Sequence, residues 1–227
     1  MIYVTGDTHG EQTRFDYLAT QGELNWTEND YLIVCGDFGY LFKDTPVENI
    51  FLNKLEEKPY TICFVDGNHE NFPVIYNYPT EKWNGGFVHR IRKNVLHLMR
   101  GQIFQLDGKS IFTMGGGYSR DRCTRTLGKS FWNEELPSNA EYKLAIANLK
   151  EAGNKVDYII THTAPAEIIR RMGRIPDPHE LELNGFFDWI MYEISFKRWF
   201  FGHWHNDKEV YDKFRAICFD IEKINEE

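Results

Sequence analysis

Five short apolar runs, each broken off by a turn that carries a histidine or an acidic or amide side chain, constrain this chain more than any other feature. They read IYVTGDTHG at 2–10, LIVCGDFG at 32–39, CFVDGNHE at 63–70, YIITHTAP at 158–165 and WFFGHWH at 199–205. Runs of three or four apolar residues are too short for helices, and because they are apolar on both faces they read as strands covered on two sides. Strands are accordingly expected at 2–5, 31–35, 60–65, 157–161 and 198–201, with further candidates at 110–114, 209–211 and 216–219. Between them lie stretches with helical spacing at 13–20, 47–57 and 139–152, the last carrying Leu144, Ala145, Ala147 and Leu149 and closing on Gly153. The first third therefore alternates strand and helix, which predicts βαβ units and a parallel sheet. From 87 to 114 the pattern changes to FVHRIRK, VLHLM, QIFQL and KSIFTM, with turn signals at Lys93–Asn94 and Asp107–Gly108, and predicts an antiparallel meander. No repeat, low-complexity tract or linker divides the 227 residues, so 1–227 reads as a single α/β domain with mixed sheets.

The loops at the carboxyl ends of parallel strands converge on one crevice. Here they would bring together Asp7, His9, Asp37, Asn68, His69, His162, His203 and His205. Asp, Asn and His supply the oxygen and nitrogen donors that divalent transition metals accept, and D-x-H or H-x-H sets two of them on one side of an extended turn. Glycines at 6, 36, 67 and 202 leave room for the close approach of these loops. One histidine beside a strand is more often a satisfied structural residue, and a lone D-x-H occurs by chance. Five such strand ends in one chain outweigh that reading. His89, His97 and His179 belong to none of these turns and read as structural or surface residues.

GDTHG, the Gly36–Asp37 pair, GNHE, the single histidine of THTAP and GHWH resemble the ordered motif set of the calcineurin-like metallophosphoesterases, from Asp7 to His205. The stretch at 115–138, GGGYSRDRCTRTLGKSFWNEELPS, is similar to a loop of prokaryotic and phage-type members. The resemblance implies a four-layer α/β/β/α sandwich of two mixed sheets with a dinuclear metal site at their edge. By position, it implies that Asp7, His9 and His205 hold one ion, that Asn68, His162 and His203 hold the other, and that Asp37 bridges them. It further implies a bridging hydroxide as nucleophile, with Asn68 and His69 as catalytic residues and His69 standing unligated beside the substrate as general acid or hydrogen-bond donor. The cofactors are then two divalent ions, manganese, iron, zinc, cobalt or nickel, since mixed nitrogen and oxygen ligands suit all of these. Two such ions about 3.5–4 Å apart can stabilise an in-line displacement at phosphorus, and they make a phosphate site in an acidic protein. Phosphoprotein phosphatases of the family extend the second motif to GDxxDRG, whereas this chain has GDFGYLF, with Tyr40 and Leu41 in place of the Asp and Arg. That departure argues against a phosphoprotein substrate and leaves the partner of His69 open between Glu70 and Asp66.

Charge narrows the field further. Lys and Arg number 26 against 34 Asp and Glu, a net charge of −8 that has the wrong sign for coating an extended duplex nucleic acid. Within this acidic chain Arg120, Arg122, Arg125 and Lys129 crowd into one segment. That segment is either a solvated loop or a substrate-gripping rim, with Arg125 the best placed for bidentate phosphate contact and Asp121 orienting it. Trp132 reads as core ahead of base stacking, and Trp204 as packing within its loop. No apolar stretch reaches the length of a membrane helix, and no apolar run of signal length follows the start. Cys35, Cys63 and Cys218 sit in apolar runs and no CxxC occurs, so disulfides are not expected and the protein reads as cytoplasmic. Together these features predict a metal-dependent hydrolase of phosphate monoesters or diesters acting on a phosphorylated small molecule or nucleotide-like substrate. The alternatives are a nuclease for short or single-stranded pieces and an inactive protein-binding scaffold of the same fold.

Overall fold

The computed structural model of the protein describes residues 1–11, 13–20 and 26–224. Strand and helix alternate at first as the sequence predicts: β1 (Ile2–Thr5), α1 (Thr13–Thr20), β2 (Tyr31–Val34), α2 (Pro46–Glu56) and β3 (Thr61–Phe64), with the three strands parallel. Thr45 starts α2 through a reciprocal capping box with Glu48, and Pro46 fills the first turn, where its missing N–H costs nothing. Next come α3 (Phe72–Tyr76), β4 (Thr80–Trp83), β5 (Gly86–Arg92), β6 (Val95–Leu98), β7 (Gln102–Leu106) and β8 (Lys109–Met114). The chain continues through α4 (Asn139–Glu151), β9 (Tyr158–Thr161), α5 (Ala166–Arg171), α6 (Leu181–Glu193), β10 (Arg198–Phe201), β11 (Lys208–Tyr211), β12 (Phe214–Ala216) and β13 (Ile221–Lys223).

These strands form two mixed sheets, in the orders β13-β1-β2-β3-β6-β5-β4 and β11-β12-β10-β9-β8-β7. Ile33, Cys63 and Leu96 of the first sheet meet Phe104, Ile111, Ile160 and Phe200 of the second between the sheets. Phe15 of α1, Leu52 and Leu55 of α2 and Ile75 of α3 cover the outer face of the first sheet. Tyr142, Ala145 and Leu149 of α4, with Ile168 of α5 and Phe187 and Ile190 of α6, cover that of the second. The result is the four-layer α/β/β/α sandwich.

The single meander expected over 87–114 is instead two hairpins in different sheets. β5 and β6 pair within the first sheet and β7 and β8 within the second. The chain leaves the first sheet at Arg100, whose guanidinium is drawn to Asp66 at the end of β3, and turns on Gly101 at φ +72. The strand expected at 216–219 ends at Ala216. There the Asp207 carboxylate accepts the N–H groups of Cys218, Phe219 and Asp220 and holds them in a turn that competes with the ladder. All four cysteines are free.

Candidate metal centre

The carboxyl ends of β1, β2 and β3 in one sheet and of β9 and β10 in the other meet at one edge of the sandwich. Backbone-to-loop hydrogen bonds tie them into a single cradle. The N–H of His9 donates to the Asp37 carbonyl at 2.7 Å, the N–H of His69 to Oδ1 of Asp37 at 2.8 Å, and the N–H of His203 to the Asp7 carboxylate at 2.9 and 3.1 Å. The glycines fall where the loops press closest. A Cβ on Gly36 would lie 2.3 Å from Nδ1 of His162, and one on Gly67 would lie 2.1 Å from Oδ1 of Asp37. His9, Asp37, His203 and His205 all adopt the left-handed conformation, with φ of 47°, 49°, 67° and 45°. Each such residue costs about 1–2 kcal/mol, a strain that folded proteins retain chiefly at functional sites.

Two clusters of donors share Asp37. On the outer side, ligand atoms of Asp7, His9, Asp37 and His205 all lie within 4.8 Å of one another, and Nε2 of His9 stands 3.1 Å from Nε2 of His205 and 3.7 Å from Oδ2 of Asp37. On the inner side, Nε2 of fully buried His162 lies 3.0 Å from Oδ1 of Asn68, 3.2 Å from Nδ1 of His203 and 3.5 Å from Oδ1 of Asp37. Nδ1 of His162 donates to the Cys35 carbonyl at 2.8 Å, which leaves Nε2 with a bare lone pair. Asn68 in turn donates its Nδ2 to Oγ of Ser119 at 3.1 Å, so its Oδ1 also turns a lone pair inward. Two acceptors facing each other with no proton to share repel, and a cation between them removes the repulsion.

The carboxylates give the same answer. Burial pushes the Asp37 carboxyl up to about 7 and, with Asp37 nearby, the Asp7 carboxyl up to about 6. Among the described residues no lysine or arginine pairs with either, so their negative charge awaits a partner. Burial lowers the histidines in step, His9 to about 4 and His203 well below its ordinary value, and this keeps their nitrogens free to coordinate. The residues present therefore fit divalent metal ions.

His69 points away from these donors. Its ring sits edge-on to His9 with centroids 5.2 Å apart, and Nη2 of Arg125 lies 2.9 Å from its Nε2 and 3.2 Å from its Nδ1. Burial and the guanidinium hold its imidazole down at about 3. Asp121 grips Nε of Arg125 at 2.8 Å, as its spacing suggests. Neither carboxylate left open as the partner of His69 contacts it. Asp66 binds His97 and Arg100, while Glu70, fully buried, accepts the N–H of Phe38 at 2.7 Å. Of the other basic residues, Arg122 forms an ion pair with buried Glu135, and Arg120 stacks over Trp204 and reaches the Ile175 carbonyl. Tyr40 and Leu41 are buried, with the Tyr40 hydroxyl donating to the Glu11 carbonyl, so packing occupies the position of the missing phosphate clamp. Trp132 is buried edge-on against Phe42.

Three supporting residues escaped the sequence reading. Ser119 and Glu135 fix Asn68 from behind, Glu135 accepting the N–H and Oγ–H of Ser119 at 3.0 Å each. Both belong to the family-like stretch at 115–138, so a signal was present. Glu180, buried against Nε2 of His203 at 3.7 Å, lies in no motif and could be found only in three dimensions.

A four-layer sandwich with an Asp and His cluster at its edge is what the resemblance in the sequence implies. The model of the calcineurin-like phosphoesterase family matches residues 1–207, and the chain belongs to that family. No curated protein matches the chain.

Proposed function

We propose that the chain hydrolyses phosphate esters with two divalent ions, manganese among the candidates, held by Asp7, His9, Asp37 and His205 on one side and by Asp37, Asn68, His162 and His203 on the other. The observation that supports this reading is the position of Asp37, whose two oxygens face opposite donor clusters. Bound there, the ions would polarise phosphoryl oxygens and make a water nucleophilic at neutral pH. The chain's own residues do the rest. Arg125, steadied by Asp121, carries a fork of N–H donors that an anionic ester can draw from the His69 ring. Without that guanidinium and beside a phosphate dianion, the imidazole gains proton affinity and can hand a proton to the leaving oxygen.

A cavity of about 540 Å³ lined by Phe42, Lys43, Thr45 and Val47 opens beside His9 and His69 and suits an organic leaving group of nucleotide size. It favours a small phosphorylated substrate, monoester or diester, over an extended nucleic acid. The strained left-handed ligand residues weigh against an inactive scaffold. The free thiols fit a reducing cytoplasm, and the core shared between the sheets fits a single domain.

The test is metal content together with turnover of p-nitrophenyl phosphate and bis(p-nitrophenyl) phosphate by purified protein loaded in turn with Mn²⁺, Fe²⁺, Zn²⁺, Co²⁺ and Ni²⁺. About two ions per chain and hydrolysis of either ester are expected. At most one ion at saturation, or no turnover with any metal, refutes the reading.

A further inference from the structure

Behind the metal centre, where β5 and β6 run past the segment 133–144, lies a second cavity of about 670 Å³ that the proposed chemistry does not use. Its volume falls in the range of small-molecule sites. Its floor is a pair of buried histidines, His89 and His97, side by side in β5 and β6 with nearly parallel rings and Nδ1 atoms 2.9 Å apart. Behind them stands Asp66, fully buried and paired with Arg100.

The hydrogen-bond chain dictates where the protons lie. The Asp66 carboxylate accepts from Nε2 of His97 at 3.1 Å, so in neutral His97 Nδ1 is an acceptor. It takes the proton on Nδ1 of His89, and Nε2 of His89 is left with a lone pair. His89 is 5% exposed, lines the cavity, and has no hydrogen-bond partner for Nε2 among the described residues. That lone pair opens onto the cavity, where something carrying a donor can meet it without breaking any bond within the chain.

The rest of the wall says what that something is. Met99, Leu136, Pro137 and Leu144 are apolar, while Glu134 and Glu141 add negative charge and Arg100 is already neutralised by Asp66. An anion is disfavoured here. We propose that this cavity is a second ligand site, taking an organic molecule with an apolar body, an N–H donor for Nε2 of His89 and no negative charge. Asp66 continues directly into Gly67, Asn68 and His69, and its carbonyl accepts the N–H of Gly116 at 2.9 Å, so the ligand rests against the framework of the metal loop.

Calorimetric titration of the zinc-loaded full chain with indole, 1-methylindole and indole-3-carboxylate tests this, backed by imidazole ¹⁵N shifts. Indole should bind one to one and shift Nε2 of His89. Loss of the donor in 1-methylindole should weaken binding about tenfold, and the carboxylate should weaken it at least as much. His89→Phe should abolish the preference for indole over its methyl derivative. Because that buried substitution can impair folding, Leu144→Trp on the exposed rim serves as the second variant, and it should block indole while leaving metal content unchanged. Equal affinity for indole and 1-methylindole, tight binding of the carboxylate, no binding of indole, or undiminished binding to Leu144→Trp would each overturn the proposal.

Discussion

Two clusters in this protein set imidazoles against buried carboxylates, and they resolve the same electrostatic problem in opposite ways. At Asp66 the counter-charge is built in. Arg100 lies against it with two N–H donors, His97 supplies a third, and the carboxyl is held far below the ordinary range despite complete burial. At Asp7 and Asp37 no guanidinium or ammonium of the described residues forms an ion pair, and burial carries both carboxyls upward. A buried carboxylate that owns its cation is a structural joint, whereas buried carboxylates that lack one and gather imidazoles around them suit a cation. A histidine count does not separate the two cases; the presence of an arginine does.

The contrast breaks most sharply under substitution. Asp37→Asn should empty both metal positions together and lower kcat/KM by about 10³-fold or more. Arg100→Met should leave metal stoichiometry near the wild-type value in the folded fraction while destabilising the chain by about 3–5 kcal/mol, the usual result of stranding a buried charge. Metal analysis and urea unfolding of the two variants check the pair. If Arg100→Met sheds metal without losing stability, the division between joint and site is wrong.

A finer comparison lies within the site, between the metal-facing histidines and His69. His69→Asn should retain both ions and lower kcat by about 10²- to 10⁴-fold, more for an alkyl ester than for a nitrophenyl ester whose leaving group needs little protonation. An equal loss for both esters would assign His69 to the phosphoryl oxygens instead. Loss of metal would make it a ligand.

The smallest effect is a pH dependence. Because the Asp37 carboxyl is raised in the folded state, the metal-free chain holds a proton that the unfolded chain has already lost, and its stability falls as pH rises through about 7. The lowered histidines His9, His69 and His203 act the other way, gaining stability as pH climbs through the ordinary histidine range, so the Asp37 effect is read against Asp37→Asn: the Tm of the metal-free wild type relative to that variant should fall by about 2–4 °C between pH 6.5 and 8. The gain from added metal should grow over the same interval, since the ion no longer competes with a proton. Asp66, lowered in the folded state, contributes stability throughout that interval and loses it only in strong acid. Thermal melts of both proteins with and without chelator at the two pH values decide it, and a constant difference between metal-free wild type and variant would show that Asp37 is already ionised in the absence of metal.

Local chemistry in the sequence was enough to determine the strands and turns of the first third, the glycines beneath the cradle and the polar residues at five strand ends. A short apolar run followed by Gly and a metal-type side chain means nearly the same thing wherever it folds. Asp121 beside Arg125 was also legible, because four residues of spacing sufficed. The resemblance already implied two sheets, but only the tertiary structure showed where the chain crosses between them, at Arg100, which reaches back to Asp66, 34 positions away. It also decided that His69 faces Arg125 and no carboxylate, and that His89 and His97 share a buried relay. Whether a given imidazole becomes ligand, donor or strut depends on which charge lies within a few ångströms of it, and long-range packing sets that distance.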